Sequence, residues 1–175
     1  MLKMQHAVSP CDAHEHSCEL ACHASPLGTI WSWWTDRGLF RLSWGEQPAN
    51  TTARSGSSPI AEFDRLLQEF FAGSPDGLRH VRVDSSGWTS FFTDVYHACR
   101  EIPAGETRRY AELAEAVGRP RAVRAVGQAM ARNRVPLVIP CHRVVGSDGR
   151  LRGFSAPGGL KTKQTLLDRE RLKLL

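Results

Sequence analysis

The chain has 175 residues, 41% of them hydrophobic and 23% charged, which fits one globular domain or two small ones and excludes a disordered chain. No apolar run approaches the ~20 residues that a bilayer span needs. The polar start has no apolar stretch of the kind a signal peptide carries, so a cytoplasmic protein without a membrane anchor is expected. The net charge of +5 hides a split, because residues 1–99 hold 7 Lys+Arg and 11 Asp+Glu while residues 100–175 hold 16 and 7.

An Arg-rich half suits forked contacts with phosphate, yet charge alone leaves nucleic acid and an ordinary solvated surface both open. Five cysteines (Cys11, Cys18, Cys22, Cys99 and Cys141) are an odd number, which suits a reducing compartment better than a disulfide framework.

Residues 1–24 are polar, rich in Cys and His and without a period, and read as a loosely held leader. From Ser25 a small α/β unit is expected to about residue 86. Thr29 to Trp34 and Leu39 to Trp44 read as strands joined by a hairpin at Asp36-Arg37-Gly38. Residues 45–59 read as a loop. Apolar residues at 60, 63, 66, 67, 70 and 71 then give helical spacing up to Gly73-Ser74-Pro75, and His80 to Val83 reads as a third strand.

Residues 87–175 read as a second, mostly helical unit. Ser90 is placed as the cap of a helix carrying Phe91, Val95, Ala98, Cys99 and Ile102, stopped by Pro103 and Gly105. A short helix follows at about 109–117, with Gly118 at its C-terminal cap. Pro120 suits the first turn of a third helix running to about Arg132, with Asn133 at its end. Two helices joined by so short a turn describe a helix-turn-helix. Val123, Val126 and Met130 are expected on its core side, with Ala122, Ala125 and Ala129 beside them and arginines 121, 124 and 132 flanking.

The densest chemical signal is Pro140-Cys141-His142-Arg143-Val144, following the apolar run Val135 to Ile139. A structural cysteine needs neither polar neighbours nor a proline-stiffened turn. A reactive one does, because the thiolate is the nucleophile and nearby cationic or imidazole groups favour it. His142 and Cys141 are adjacent and point apart in extended chain, so the imidazole is expected to act through a water, oriented by a carboxylate from elsewhere.

Those residues, with Arg124-Ala125-Val126-Gly127, Asn133, Gly105-Glu106-Thr107 before Tyr110, and Gly158-Gly159-Leu160 ahead of Glu170, resemble the O6-alkylguanine-DNA alkyltransferase family over about 88–172. The resemblance implies an α+β fold: a small α/β domain with a short antiparallel sheet, then a winged helix-turn-helix-like alkyltransferase domain. It also implies repair of duplex DNA containing O6-alkylguanine by irreversible transfer of the alkyl group to Cys141, one turnover per molecule, with base flipping in the minor groove and activity on O4-alkylthymine.

Further roles follow from the resemblance alone. His142 would activate Cys141 through water, Glu170 would orient His142, and Asn133 would brace the turn. Arg124 would fill the gap left by the flipped nucleotide, while Ala122, Ala125, Gly127 and Ala129 would form the groove-facing surface. Tyr110 would donate to the guanine ring, the Val144 carbonyl would accept from the guanine amino group, the Ser155 amide would reach O6, and Phe154 would wall the pocket. No cofactor or metal is implied, and a monomer is expected.

The chain departs from the family pattern in places. Phe154 stands where the family often has Tyr, Ala156-Pro157 lengthen the segment before Gly158-Gly159, and the leader lacks the family's zinc-ligand spacing. The alternatives are a non-catalytic lesion-binding protein, a helix-turn-helix regulator, and a thiol hydrolase. Cys141 argues against the first, and the Pro-Cys-His-Arg turn and Glu170 argue against the second. The basic Ala/Arg helix has no place in the third.

Overall fold

The computed structural model describes residues 18–46 and 57–171. The fold is α+β. Strands β1 (Glu19–His23), β2 (Ile30–Thr35) and β3 (Gly38–Trp44) form an antiparallel sheet in the order β1-β2-β3. The hairpin is where the sequence places it. The third strand is not: it is β1, inside the stretch expected as a loose leader. At 80–83, instead of a strand, a 3-10 turn (Gly77–His80) leads to one isolated parallel bridge from Val83 to Leu39.

The reason lies in what β1 buries. Leu20 packs with Trp31, Trp33 and Phe40 on one face of the sheet, while Ala21 and His23 face the helix on the other. His23 is buried because it is fully bonded: Nδ1 donates to Asp64 at 3.0 Å, and Nε2 accepts from the Ser32 hydroxyl at 2.7 Å. Ser32 in turn accepts from the Trp34 indole at 2.8 Å. A bulge between Trp33 and Trp34 lets Leu39 and Leu42, an odd number of residues apart, both face the main core while Phe40 joins the tryptophans.

Helix α1 (Ser58–Ala72) opens on Pro59 and ends at Gly73, whose φ of 105° is the left-handed cap that glycine adopts without strain. Its buried stripe of Ile60, Phe63, Leu67 and Phe70 packs on the sheet. Helix α2 (Ser90–Arg100) is capped by Thr89, not Ser90: the Thr89 hydroxyl accepts from Phe92 N at 3.2 Å.

Helices α3 (Tyr110–Ala116) and α4 (Val123–Ala131) form the helix-turn-helix. Gly118 takes φ 69° after α3, and Arg119 N donates back to the Ala114 carbonyl. Helix α4 starts later than expected, because Pro120 lies in the connecting turn and Ala122 is the N-cap. Its core face also differs: Val126, Ala129 and Met130 are buried, while Val123 is 37% exposed. Ala129 is covered by α2, whose Tyr96 hydroxyl donates to its carbonyl at 2.8 Å. A short parallel pair, β4 (Arg108–Arg109) with β5 (Val144–Val145), ties the start of α3 to the residues after Cys141. Helix α5 (Leu160–Arg171) closes the unit with Lys163, Leu166, Leu167 and Glu170 inward.

Candidate active site

Cys141 begins a 3-10 turn (Cys141–Arg143) and is 6% exposed. The loop before it is tied shut. Asn133 Nδ2 donates to the Ile139 carbonyl at 2.9 Å, Val135 N donates to Asn133 Oδ1 at 3.0 Å, and Cys141 N donates to the same Ile139 carbonyl at 2.7 Å. Within this loop Leu137 has φ 72°, the one non-glycine residue with positive φ among those described. Such backbone persists only where its surroundings over-determine it, and it clusters at functional sites.

Burial pushes the Cys141 thiol up, opposed by a hydrogen bond from Asn133 and by the nearby Lys163 ammonium. The thiol therefore depends on a base to lose its proton. The next residue, His142, is fully buried, with Nε2 2.9 Å from Glu170 Oε1. Burial opposes ionisation of Glu170, yet the hydrogen bonds of His142 and Arg143 and the Arg143 charge prevail and lower its pKa to about 2. An ionised carboxylate only accepts, so Nε2 carries the hydrogen and Nδ1 is a bare lone pair. Nδ1 is buried and has no partner. For His142 itself burial wins over Glu170, and its pKa falls below the ordinary histidine value. The imidazole is thus neutral at neutral pH and free to accept.

Glu170 is shared. Arg143 Nη2 donates to Oε1 at 2.7 Å, Arg143 Nε lies 3.1 Å from Oε2, and Gly105 N donates to Oε2 at 3.2 Å. Arg143 Nη1 donates to the Ile102 carbonyl at 2.6 Å, so the cluster is anchored to the segment just after α2. The rings of Phe70 from α1 and Phe154 each meet His142 edge to face at 6.5 Å between centroids.

Tyr110 is half-buried at the start of α3, and burial and the neighbouring Cys141 push its phenol up, so it holds its proton. Val144 is fully buried, and its carbonyl already accepts from Lys163 Nζ at 2.7 Å, which leaves one lone pair. Ser155 is exposed, at the start of a turn through Ala156 to Gly159 where Gly159 N donates to the Ala156 carbonyl. On α4, Arg124 is exposed, and Ala122, Ala125 and Gly127 are partly exposed beside it. Ala129 is not part of that face, since it lies in the core.

Some residues escape the sequence reading. Lys163 is fully buried, also donating to the Arg152 carbonyl at 3.0 Å. Its signal was present: Lys163 and Glu170 occupy the same helical face as Leu166 and Leu167, where a purely structural helix would be apolar. Arg134 and Leu137 carried no such signal. Of the leader's cysteines and histidines, His6, Cys11, His14 and His16 lie outside the described residues. Cys18 is disulfide-bonded, contrary to the expectation of free thiols, while Cys22, Cys99 and Cys141 are free.

Residues 90–172 match the family described as 6-O-methylguanine DNA methyltransferase, DNA binding domain. The chain is similar to the methylated-DNA–protein-cysteine methyltransferase of Methanosarcina barkeri, 38% identical over 86% of this chain and 95% of that protein. It is 42% identical to the constitutive enzyme of that name from Bacillus subtilis, over 75% of this chain and 77% of the relative. Its fold is similar to the crystal structure of Mycobacterium tuberculosis OGT in complex with DNA, with TM-score 0.74 and 32% identity, covering 89% of this chain and 94% of that one. By this similarity along nearly its whole length, the chain belongs to the methylated-DNA–protein-cysteine methyltransferase family of DNA-repair alkyltransferases.

Proposed function

We propose that the protein removes the alkyl group from O6-alkylguanine in duplex DNA by transferring it to Cys141, once per molecule. The observation that carries this reading is the bare, buried Nδ1 of His142, fixed by Glu170 on the residue that follows a thiol burial keeps protonated. A base with no other partner, next to a nucleophile that needs one, is an arrangement for proton removal.

His142 takes the Cys141 proton through a bridging water. The thiolate attacks the alkyl carbon, a C–S bond forms, and the C–O bond breaks with its electrons going to guanine. Tyr110 supplies a proton to the guanine ring and is reprotonated from the imidazolium, so no proton is consumed overall. A thioether is a poor leaving group, and no residue in the site regenerates the thiol. Turnover therefore stops at one.

The remaining Val144 lone pair receives the guanine amino group, the Ser155 amide meets O6, and Phe154 walls the base. Cys141 is too buried to reach a base inside a duplex, so the base is extruded. Arg124, exposed on α4 among Ala122, Ala125 and Gly127, fills the vacated space from the minor groove. The unit from residue 87 onward carries the chemistry, the α/β unit that opens with β1 at Glu19 and runs to about residue 86 braces it, and a monomer suffices. O4-alkylthymine presents the same alkyl–oxygen bond and is a second substrate.

The test is the intact mass of the protein after incubation with a duplex containing one O6-methylguanine. A gain of one methyl group, mapped to Cys141, supports the proposal. An unchanged mass, or a methyl on another residue, overturns it.

A further inference from the structure

Arg134 joins parts of the molecule that the reaction does not obviously connect. Its backbone lies between Asn133 and Val135, inside the loop that ends at Cys141. Its carbonyl accepts from Leu42 N of β3 at 2.7 Å. Its Nη2 donates to the Asp84 carbonyl at 2.7 Å and the Ser86 carbonyl at 2.8 Å. Its guanidinium lies 4.1 Å from the Phe40 ring centroid and 5.2 Å from that of Trp88. Asp84 is itself fixed, accepting from the Thr35 hydroxyl at 2.7 Å and from Ser86 N at 2.8 Å.

This is not how a solvated surface arginine behaves. Arg134 Nε is sealed from water and has no acceptor, a loss of solvation that the fold tolerates at this one guanidinium. What is gained is direction. Rings clamp the plane of the fork, and its two bonds aim it at the segment linking the sheet to α2. The backbone bond to Leu42 then transmits that position to the loop. From there the path is short: Asn133 and Cys141 both donate to the Ile139 carbonyl.

We propose that Arg134 is a positioning residue that couples the three-stranded sheet to the active-site loop and so sets the rate of alkyl transfer at Cys141. The proposal rests on Cys141 being the acceptor. It gives the sheet a role in the chemistry: the strand that supplies Leu42 and Phe40 holds the loop that presents the thiol.

The experiment uses the full chain under single-turnover conditions, well below the melting temperature of each variant. Transfer is measured from an O6-methylguanine duplex and from free O6-benzylguanine, which needs no flipping. Arg134→Ala should lower the saturating rate on both substrates by roughly ten- to hundredfold, the range for a slightly misplaced reacting group. Duplex affinity should stay unchanged. Arg134→Lys should recover part of the rate, since an ammonium still lies between the rings and reaches one carbonyl. Phe40→Leu should lower the rate in wild type and change it little in Arg134→Ala, because both remove the same clamp.

A wild-type saturating rate in Arg134→Ala, with only a lower melting temperature, would overturn the proposal and leave Arg134 as structural glue. If Arg134→Ala does not fold, wild-type rates in both Arg134→Lys and Phe40→Leu overturn it equally. Failure of the underlying reading looks different: the wild-type protein itself would transfer nothing from either substrate.

Discussion

His142 and Glu170 hold each other at 2.9 Å with both side chains closed to solvent, and their pKa values move the same way for opposite reasons. Burial drives His142 down, whereas its bonding partners drive Glu170 down to about 2 against burial. In each case the unfolded chain binds the proton more readily than the folded one.

Stability should therefore fall as pH falls. The His142 contribution is complete above its unfolded value, near 6.5, and declines below it. The Glu170 contribution is complete above about 4.5 and is lost towards about 2, on the order of 3 kcal/mol in all. Glu170→Gln should flatten the acid side of a melting-temperature profile and lower stability at neutral pH, because Arg143 would keep a buried charge without its counter-ion. A variant profile parallel to wild type down to pH 3 would contradict this assignment.

Alkyl transfer should also depend on pH through the thiol. Because burial raises the Cys141 pKa and His142 supplies the base, His142→Ala should slow transfer from free O6-benzylguanine by roughly a hundredfold or more at neutral pH. The deficit should narrow as pH rises and hydroxide takes over. Cys141→Ala should abolish transfer while lesion-containing duplex still binds, as seen in a gel shift.

Arg124 separates flipping from chemistry. Arg124→Ala should slow transfer from duplex DNA severely at saturating protein and leave free O6-benzylguanine near wild type. Arg124→Lys should be partly tolerated, because a long side chain still fills the gap. Equal losses on both substrates would mean the change had disturbed the Cys141 pocket instead.

Salt should weaken binding to undamaged duplex steeply, since 16 basic residues lie among positions 100–175 and phosphate contacts release counterions. A flat titration of affinity against salt would remove the basic face from the DNA interface.

Much of this was legible in the sequence where a pattern was long or chemically dense. The β2–β3 hairpin, the α1 stripe and the Cys-His-Arg turn appear where their residues place them. Strand β1 was hidden because its buried polar residue, His23, is satisfied by partners at positions 32 and 64. The faces of α4 differ from those expected because Val123 lies on the exposed first turn of the helix, and tertiary cover from Tyr96 decides which alanine is inside. Arg134 looked like one more basic residue. Only the fold reveals that its guanidinium lies between two rings, and Leu137 has nothing in its side chain to announce its backbone.

The hydrogen-bonded His23 has a consequence for how the sheet finds its pairing. Strand β1 buries only Leu20 and Ala21 as apolar side chains, too little to choose between neighbouring alignments. Since strand side chains alternate in direction, a slip by one residue would turn the imidazole towards Trp31, Trp33 and Phe40 and strand it among groups that offer no acceptor. Ser32 and Asp64 would lose their partner at the same time. The alignment of this edge is thus chosen by the penalty on its misaligned forms, a proofreading of strand pairing built from three polar side chains.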